Sequence, residues 1–245
     1  MSSSKFLRRT AMAAALAVGI SAVPAGAATL ELALAIDGSG SISGNQFKLQ
    51  REAYVSVLSD LSVLPQDGSV AIGVYLFGTN VTTVFSFAEI TAANHGALIA
   101  ALNGMVQPGG STSISRAINA ATADIFSNAI TSDRQLIDVS TDGAHNVGPN
   151  LATSRADALA AGIDQINCIG IGNGANCGNV IAGNGAFSLH ASTFDDFEAA
   201  LRKKIVREVT GTVPEPTTWA MLIAGFGLIG GAMRRRRVTS SVSFA

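Results

Sequence analysis

Apolar runs and helical periodicities alternate along most of this chain, and several apolar runs stop at clusters of small polar residues. Residues 30–36 form a short apolar stretch that ends abruptly at Asp37-Gly38-Ser39-Gly40-Ser41, the pattern of a buried strand delivering a polar loop. Over 46–61, Phe47, Leu49, Tyr54, Val57, Leu58 and Leu61 recur near helical spacing. Residues 70–77 and 81–87 read as a strand pair joined hairpin-fashion through Gly78-Thr79-Asn80. Helices are predicted over 92–105 and 113–127, then a strand over 135–140 that runs into Thr141-Asp142-Gly143. A helix over 152–162, a strand over 165–171 and an amphipathic helix over 194–209 complete the pattern. Strands alternating with helices predict a doubly wound α/β domain, with a mostly parallel central sheet and helices on both faces.

The two ends of the chain depart from that pattern. Lys5, Arg8 and Arg9 precede an apolar run over 11–23 and the small-residue site Ala25-Gly26-Ala27, which predicts a secretory signal peptide over 1–28. At the other end, Pro214-Glu215-Pro216 precedes Trp219 and an apolar, glycine-rich span to Met233, followed by four arginines at 234–237. That span is just long enough to cross a bilayer, with the arginines holding its far end in the cytoplasm. A permanent tail anchor is one reading. The ordered set of Pro-Glu-Pro, Trp, apolar span and arginines resembles the PEP-CTERM sorting signal, which implies transient anchoring in the inner membrane and cutting near Pro214, Glu215 and Pro216 by an exosortase. The expected organisation is therefore a signal peptide at 1–28, an exported domain at 29–212, a sorting signal at 213–237 and a short tail at 238–245. The tail is a departure, since such signals usually stop soon after the arginines. Signal peptidase and exosortase are the processing partners this implies, and the cell surface or exterior the destination.

Charge changes the picture further. The formal net charge is −1, but seven of the 16 basic residues lie at the two ends and all 17 acidic residues lie between them. The exported body is thus strongly acidic and repels phosphate backbones, which excludes nucleic acid as an expected partner.

Three polar loops are predicted to reach the carboxyl edge of the sheet, where ligands of such folds sit. They carry Asp37, Ser39 and Ser41, then Thr112 within Gly109-Gly110-Ser111-Thr112-Ser113, then Asp142. All offer oxygen donors without thiolate or imidazole, a set that selects a hard cation such as Mg²⁺, with Mn²⁺ or Ca²⁺ as alternatives. Taken singly, Ser and Thr beside Gly are turn and capping residues, and Thr112 could serve only to cap the next helix. Together, in this order and spacing, the five residues resemble the metal-ion-dependent adhesion site of von Willebrand factor A domains. Phe47-Lys48-Leu49-Gln50-Arg51-Glu52, the stretch from Asp138 to Gly143, Phe194-Asp195-Asp196-Phe197 and Lys203-Lys204-Ile205-Val206-Arg207-Glu208 resemble a bacterial branch of that superfamily. The resemblance implies direct metal contact by the serines and threonine, contact largely through water by the aspartates, and a partner carboxylate completing the shell. Its implied partner is a surface protein or matrix component bearing an acidic group. A structural matrix protein that uses metal only for stability is the competing reading.

Enzyme readings fit less well. Haloacid-dehalogenase-type phosphotransfer resembles Asp-x-Asp, but the second acidic position is Ser39 here. A nucleophile elbow needs Gly-x-Ser-x-Gly, and Gly109-Gly110-Ser111-Thr112-Ser113 ends in serine. Gly170-Ile171-Gly172-Asn173-Gly174 lies too late, and with the wrong spacing, for a dinucleotide loop. His145, three residues past Asp142, reads as a solvated loop residue or a partner contact. Cys168 and Cys177 are the only cysteines, and export favours a disulfide between them over two free thiols.

Overall fold

The computed structural model describes residues 28–211. Strand β1 (Leu30–Asp37) is buried along its whole length, as a central strand covered on both faces must be. Strands β2 (Asp67–Phe77), β3 (Val81–Thr91), β4 (Gln135–Thr141), β5 (Gln165–Ile171) and β6 (Ser188–Ala191) join it in one sheet of order β3-β2-β1-β4-β5-β6. Only the β2–β3 pair is antiparallel, which is the predicted hairpin. The doubly wound α/β reading is thereby borne out.

Helices α1 (Gly44–Ser59), α2 (His95–Asn103) and α5 (Phe197–Thr210) cover one face of the sheet. Leu32, Leu34 and Ile36 of β1 meet Phe47, Tyr54 and Leu58 of α1 and Phe197, Leu201 and Ile205 of α5 in that layer. Helices α3 (Ile114–Ile125) and α4 (Leu151–Ala161) cover the other, where Ala33 and Ala35 of β1 face Ile114, Ala117, Ile118 and Ala121. Alternation along β1 thus feeds two cores, with alanines on the α3 side and leucines and an isoleucine on the side of α1 and α5.

Helix boundaries follow local chemistry. Helix α1 begins two residues before the predicted start because Ser43 and Gln46 form a reciprocal capping box. Helix α2 is shorter than predicted, since the Asn94 side chain accepts from the Thr91 backbone and Gly104 ends the helix. Strand β6 was not predicted, being only four residues long on the sheet edge.

Among the described residues, no helix is long and apolar enough to cross a membrane. The signal peptide, Pro214-Glu215-Pro216 and the apolar span at 219–233 lie outside the described residues.

Candidate functional site

Strand order reverses at β1 and β4, and the crevice beyond their carboxyl ends is the switch point where α/β folds place ligands. Asp37 ends β1 and Thr141 ends β4, side by side across the parallel ladder. Asp37 Oδ1 accepts the Ser39 amide at 2.8 Å and Oδ2 accepts the Thr141 hydroxyl at 2.6 Å. Both oxygens are thus fixed from within the fold.

Above Asp37 the hydroxyls converge. Ser39 Oγ lies 3.1 Å from Ser41 Oγ and 3.1 Å from Thr112 Oγ1, and Ser41 Oγ donates to Asp142 Oδ1 at 2.7 Å. Exposure grades outward: Asp37 and Ser39 are fully buried, Thr112 nearly so, Asp142 half-buried and Ser41 exposed. The structure therefore brings all five sequence-predicted residues into one cluster that opens to solvent.

Backbone contacts hold the three loops in register. Gly109 donates to Gly38 O at 2.9 Å, Gly40 to Gly110 O at 2.8 Å, and Ser113 to Gly78 O at 3.0 Å. Gly109 and Gly110 both adopt positive φ, so the turn that delivers Thr112 requires glycine twice in succession. Sequence reasoning missed four supporting side chains. Buried Gln50 donates to Asp37 O at 2.7 Å, and Gln107 donates to Ser39 O and Ile42 O at 3.1 and 2.7 Å. Asn146 Oδ1 accepts the Thr112 amide at 2.9 Å, and Thr141 anchors Asp37 as above. Thr141 adjoins a candidate ligand and could have been found. The others lie 13 to 68 residues from the groups they hold, with no local signal. His145 bonds the Pro149 carbonyl at 3.1 Å and stays in its own loop.

The donor set passes a test of fit for a cation. In an octahedral shell of ~2.1 Å radius, neighbouring oxygens stand about 3.0 Å apart, close to the two hydroxyl separations at Ser39. Two carboxylates, Asp37 and Asp142, share the cluster, and among the described residues neither has an ion-pair partner. Burial pushes the Asp37 carboxyl up to about 6, against the hydrogen bonds from Thr141 and Ser39, with Asp142's charge adding to the rise.

A folded-state value above the ordinary 3.8 means that the folded chain holds the Asp37 proton more tightly than the unfolded chain does. In chelator, stability should accordingly fall by about 3 kcal/mol as pH rises from roughly 4 to 6. Urea unfolding across that window should show a flatter profile for Asp37→Asn. A parallel profile for the two proteins would contradict the assignment.

The Cys168–Cys177 disulfide joins β5 to a short 3₁₀ turn, Cys177–Asn179, with Cα atoms 5.6 Å apart. The loop it closes passes beside the cluster, since a Cβ on Gly174 would stand 2.5 Å from the Asp142 carbonyl oxygen. Reducing it should cost about 2–3 kcal/mol through regained loop entropy. Urea unfolding with and without reductant measures this, and a Cys168→Ala/Cys177→Ala variant insensitive to reductant is the control. Grooves of about 290 and 470 Å³ flank the cluster, one bordered by Asp142, Asn173 and Phe194, the other by His145, Asn146 and Arg155.

Known proteins share this architecture. Vitrin of Mus musculus is 32% identical over 100 residues, which make up 41% of this chain and 15% of vitrin, so the chain spans a small part of that relative. Proximal thread matrix protein 1 from the mussel byssus superposes with a TM-score of 0.63 at 19% identity, covering 74% of this chain and 48% of that one. A second structure of the same protein, with a zinc-occupied MIDAS motif, gives a TM-score of 0.62 at 18% identity over the same shares. A von Willebrand factor type A protein from Catenulispora acidiphila gives 0.59 at 16% identity, covering 75% of this chain and 43% of that one. The chain thus spans about half the length of these solved chains, and the likeness shows a von Willebrand A fold. Residues 212–237 match the PEP-CTERM protein-sorting motif, which marks the chain for export and surface sorting. Residues 27–213 match the family described as Protein of unknown function (DUF1194), and the chain belongs to that family, here with a von Willebrand A-like fold.

Proposed function

We propose that this domain is an exported, non-enzymatic binding module in which Asp37, Ser39, Ser41, Thr112 and Asp142 hold one divalent cation, Mg²⁺ first and Mn²⁺ or Ca²⁺ next. The observation that carries the reading is the trio of hydroxyls from Ser39, Ser41 and Thr112, gathered over two carboxylates that have no ion-pair partner among the described residues. The zinc-occupied motif in the mussel byssus protein supports a divalent cation in this fold without deciding which.

When bound, the cation supplies an open position for a carboxylate oxygen and reverses the local sign of an acidic surface. The chain's residues do the remainder. Asp37, fixed by Ser39 and Thr141, sets negative charge beneath the site. Gln107 and Gln50 clamp the loop that presents Ser39 and Ser41, and Asn146 clamps the one that presents Thr112. The neutral hydroxyls quench little of a cation's charge, which leaves attraction for an acidic group on a surface protein or matrix component. Sorting is the other half of the proposal: a signal peptide at 1–28 starts export, and the tail holds the chain in the inner membrane until exosortase cuts near Pro214-Glu215-Pro216.

Calorimetric titration of the domain with Mg²⁺, Mn²⁺ and Ca²⁺ tests the metal site directly. Capture from surface extract in Mg²⁺ and in chelator then tests the binding role. Saturable metal binding with chelator-sensitive capture is expected. Metal binding with capture indifferent to chelator would reduce the metal to a stabilising part, and no metal binding would overturn the reading.

A further inference from the structure

A second cluster of charges lies far from solvent on the opposite side of β4 from α3. Lys204 of α5 is fully buried, as is Asp138 of β4, and Glu208 of α5 is 1% exposed. Lys204 Nζ touches Asp138 Oδ1 directly and donates to Glu208 Oε1 at 2.7 Å. Asn167 of β5 donates to the same Glu208 oxygen at 2.9 Å, fixing that carboxyl beside the amine. The Phe187 ring covers the site, 5.6 Å from Lys204 Nζ.

The state of Asp138 is unusual. Among the described residues, neither of its oxygens accepts a hydrogen bond of ordinary geometry, although one is in contact with the ammonium group. A buried carboxylate is normally surrounded by donors that stabilise its charge. Here a fully buried amine and a fully buried carboxyl are in contact, and a second carboxyl accepts from the same amine.

The geometry points to Lys204 and Asp138 as partners in an intramolecular amide bond, formed by condensation of the two side chains with Glu208 as acid and base. The ammonium group passes one proton to the Asp138 carboxylate, which leaves a neutral amine facing a neutral carboxylic acid. The nitrogen lone pair then attacks Asp138 Cγ, and a C–N bond forms. Glu208 gives its proton to the departing hydroxyl and recovers one from nitrogen, so the C–O bond breaks and one water leaves. No oxidant or cofactor is needed. Burial, with the neighbouring Asp138 charge adding to it, pushes the Glu208 carboxyl up toward the protonated form that this step requires. Proximity does the rest, since holding the reacting groups together replaces the entropy of an encounter.

The bond would join the last helix to a central strand. Helix α5 ends at Thr210, just before the sorting motif at 212–237, so any pull on the tail reaches α5 first. An amide to β4 would pass that load to the middle of the sheet instead of peeling the helix away.

Tryptic digestion of the denatured, reduced full chain decides the matter by mass. The expected product is segment 135–155 joined to segment 204–207, lighter than the two together by one water, with no cleavage after Lys204. Glu208→Gln keeps the shape of the site and should slow accumulation of this product about 100-fold after synthesis. Lys204→Arg should abolish it. Separate segments with cleavage after Lys204, or a link from Lys204 to Glu208, would overturn the proposal and leave an ion pair only.

Discussion

Replacing Asp142 with alanine is expected to weaken Mg²⁺ binding about 100-fold, or roughly 2.7 kcal/mol, while leaving the metal-free fold as stable as before. The two halves of that expectation come from different contacts. Asp142 is half-buried on an edge loop, and its one side-chain hydrogen bond within the cluster is the one it accepts from Ser41. Losing it frees Ser41 Oγ to turn toward solvent and takes one of two negative charges from the cluster. In chelator the same change removes a charge that raises Asp37, so the metal-free domain is relieved of some repulsion. Stability in chelator should stay within about 1 kcal/mol of the parent or rise slightly. Ser39→Ala differs, because Ser39 is fully buried and meets both other hydroxyls. It should lose metal as severely while also lowering stability in chelator. Calorimetry paired with urea unfolding separates the two variants. Mg²⁺ binding by Asp142→Ala within threefold of the parent would remove Asp142 from the site.

What the sequence makes legible here is what local pattern encodes. Each candidate ligand sits where an apolar run breaks into small polar residues, so Asp37, Thr112 and Asp142 could be placed at strand and helix ends without coordinates. The hairpin at Gly78 was legible for the same reason, since turn chemistry is local. The clamps were not. Gln107 holds a loop 65 to 68 residues earlier in the chain, and only the folded backbone brings the two together. Strand β6 escaped because four residues give too little alternation to read, and its pairing with β5 is tertiary.

The charged core is the more instructive case. Phe197, Leu201, Lys204, Ile205 and Glu208 are the buried residues of α5, spaced as a single helical stripe. Two of the five are charged, and helical pattern alone reads Lys and Glu as solvent-facing. Glu31 poses the same problem in a strand buried throughout, and there the structure shows the answer: Asn128 and Ser132 each donate to it at 2.7 Å. A charge standing in register with an apolar stripe is the available signal, and it names the position without naming the partner.

Lys204→Met should be the most destabilising single substitution outside the apolar core, at about 3–5 kcal/mol near neutral pH. Methionine fills the space and removes the amine that contacts both Asp138 and Glu208, and with it any amide formed from that amine. Two buried carboxyls then face each other, with Asn167 as the one donor to Glu208. The sign with pH follows from linkage. Without the ammonium group, less opposes the burial that pushes the Glu208 carboxyl up, so the folded chain holds that proton more tightly than the unfolded chain and the deficit should grow as pH rises from about 5 and shrink in acid. A triple variant, Lys204→Met with Asp138→Val and Glu208→Leu, removes every charge at once and should recover most of the loss, since packed apolar groups commonly match a buried ion network. Urea unfolding at pH 5 and pH 7 compares the three proteins. A Lys204→Met loss under about 1 kcal/mol, or one independent of pH, would contradict this account of the buried charges. The comparison also bears on the covalent link: a triple variant that regains full equilibrium stability but unfolds faster under a pull on its C-terminus would show that the network serves mechanical hold more than thermodynamic stability.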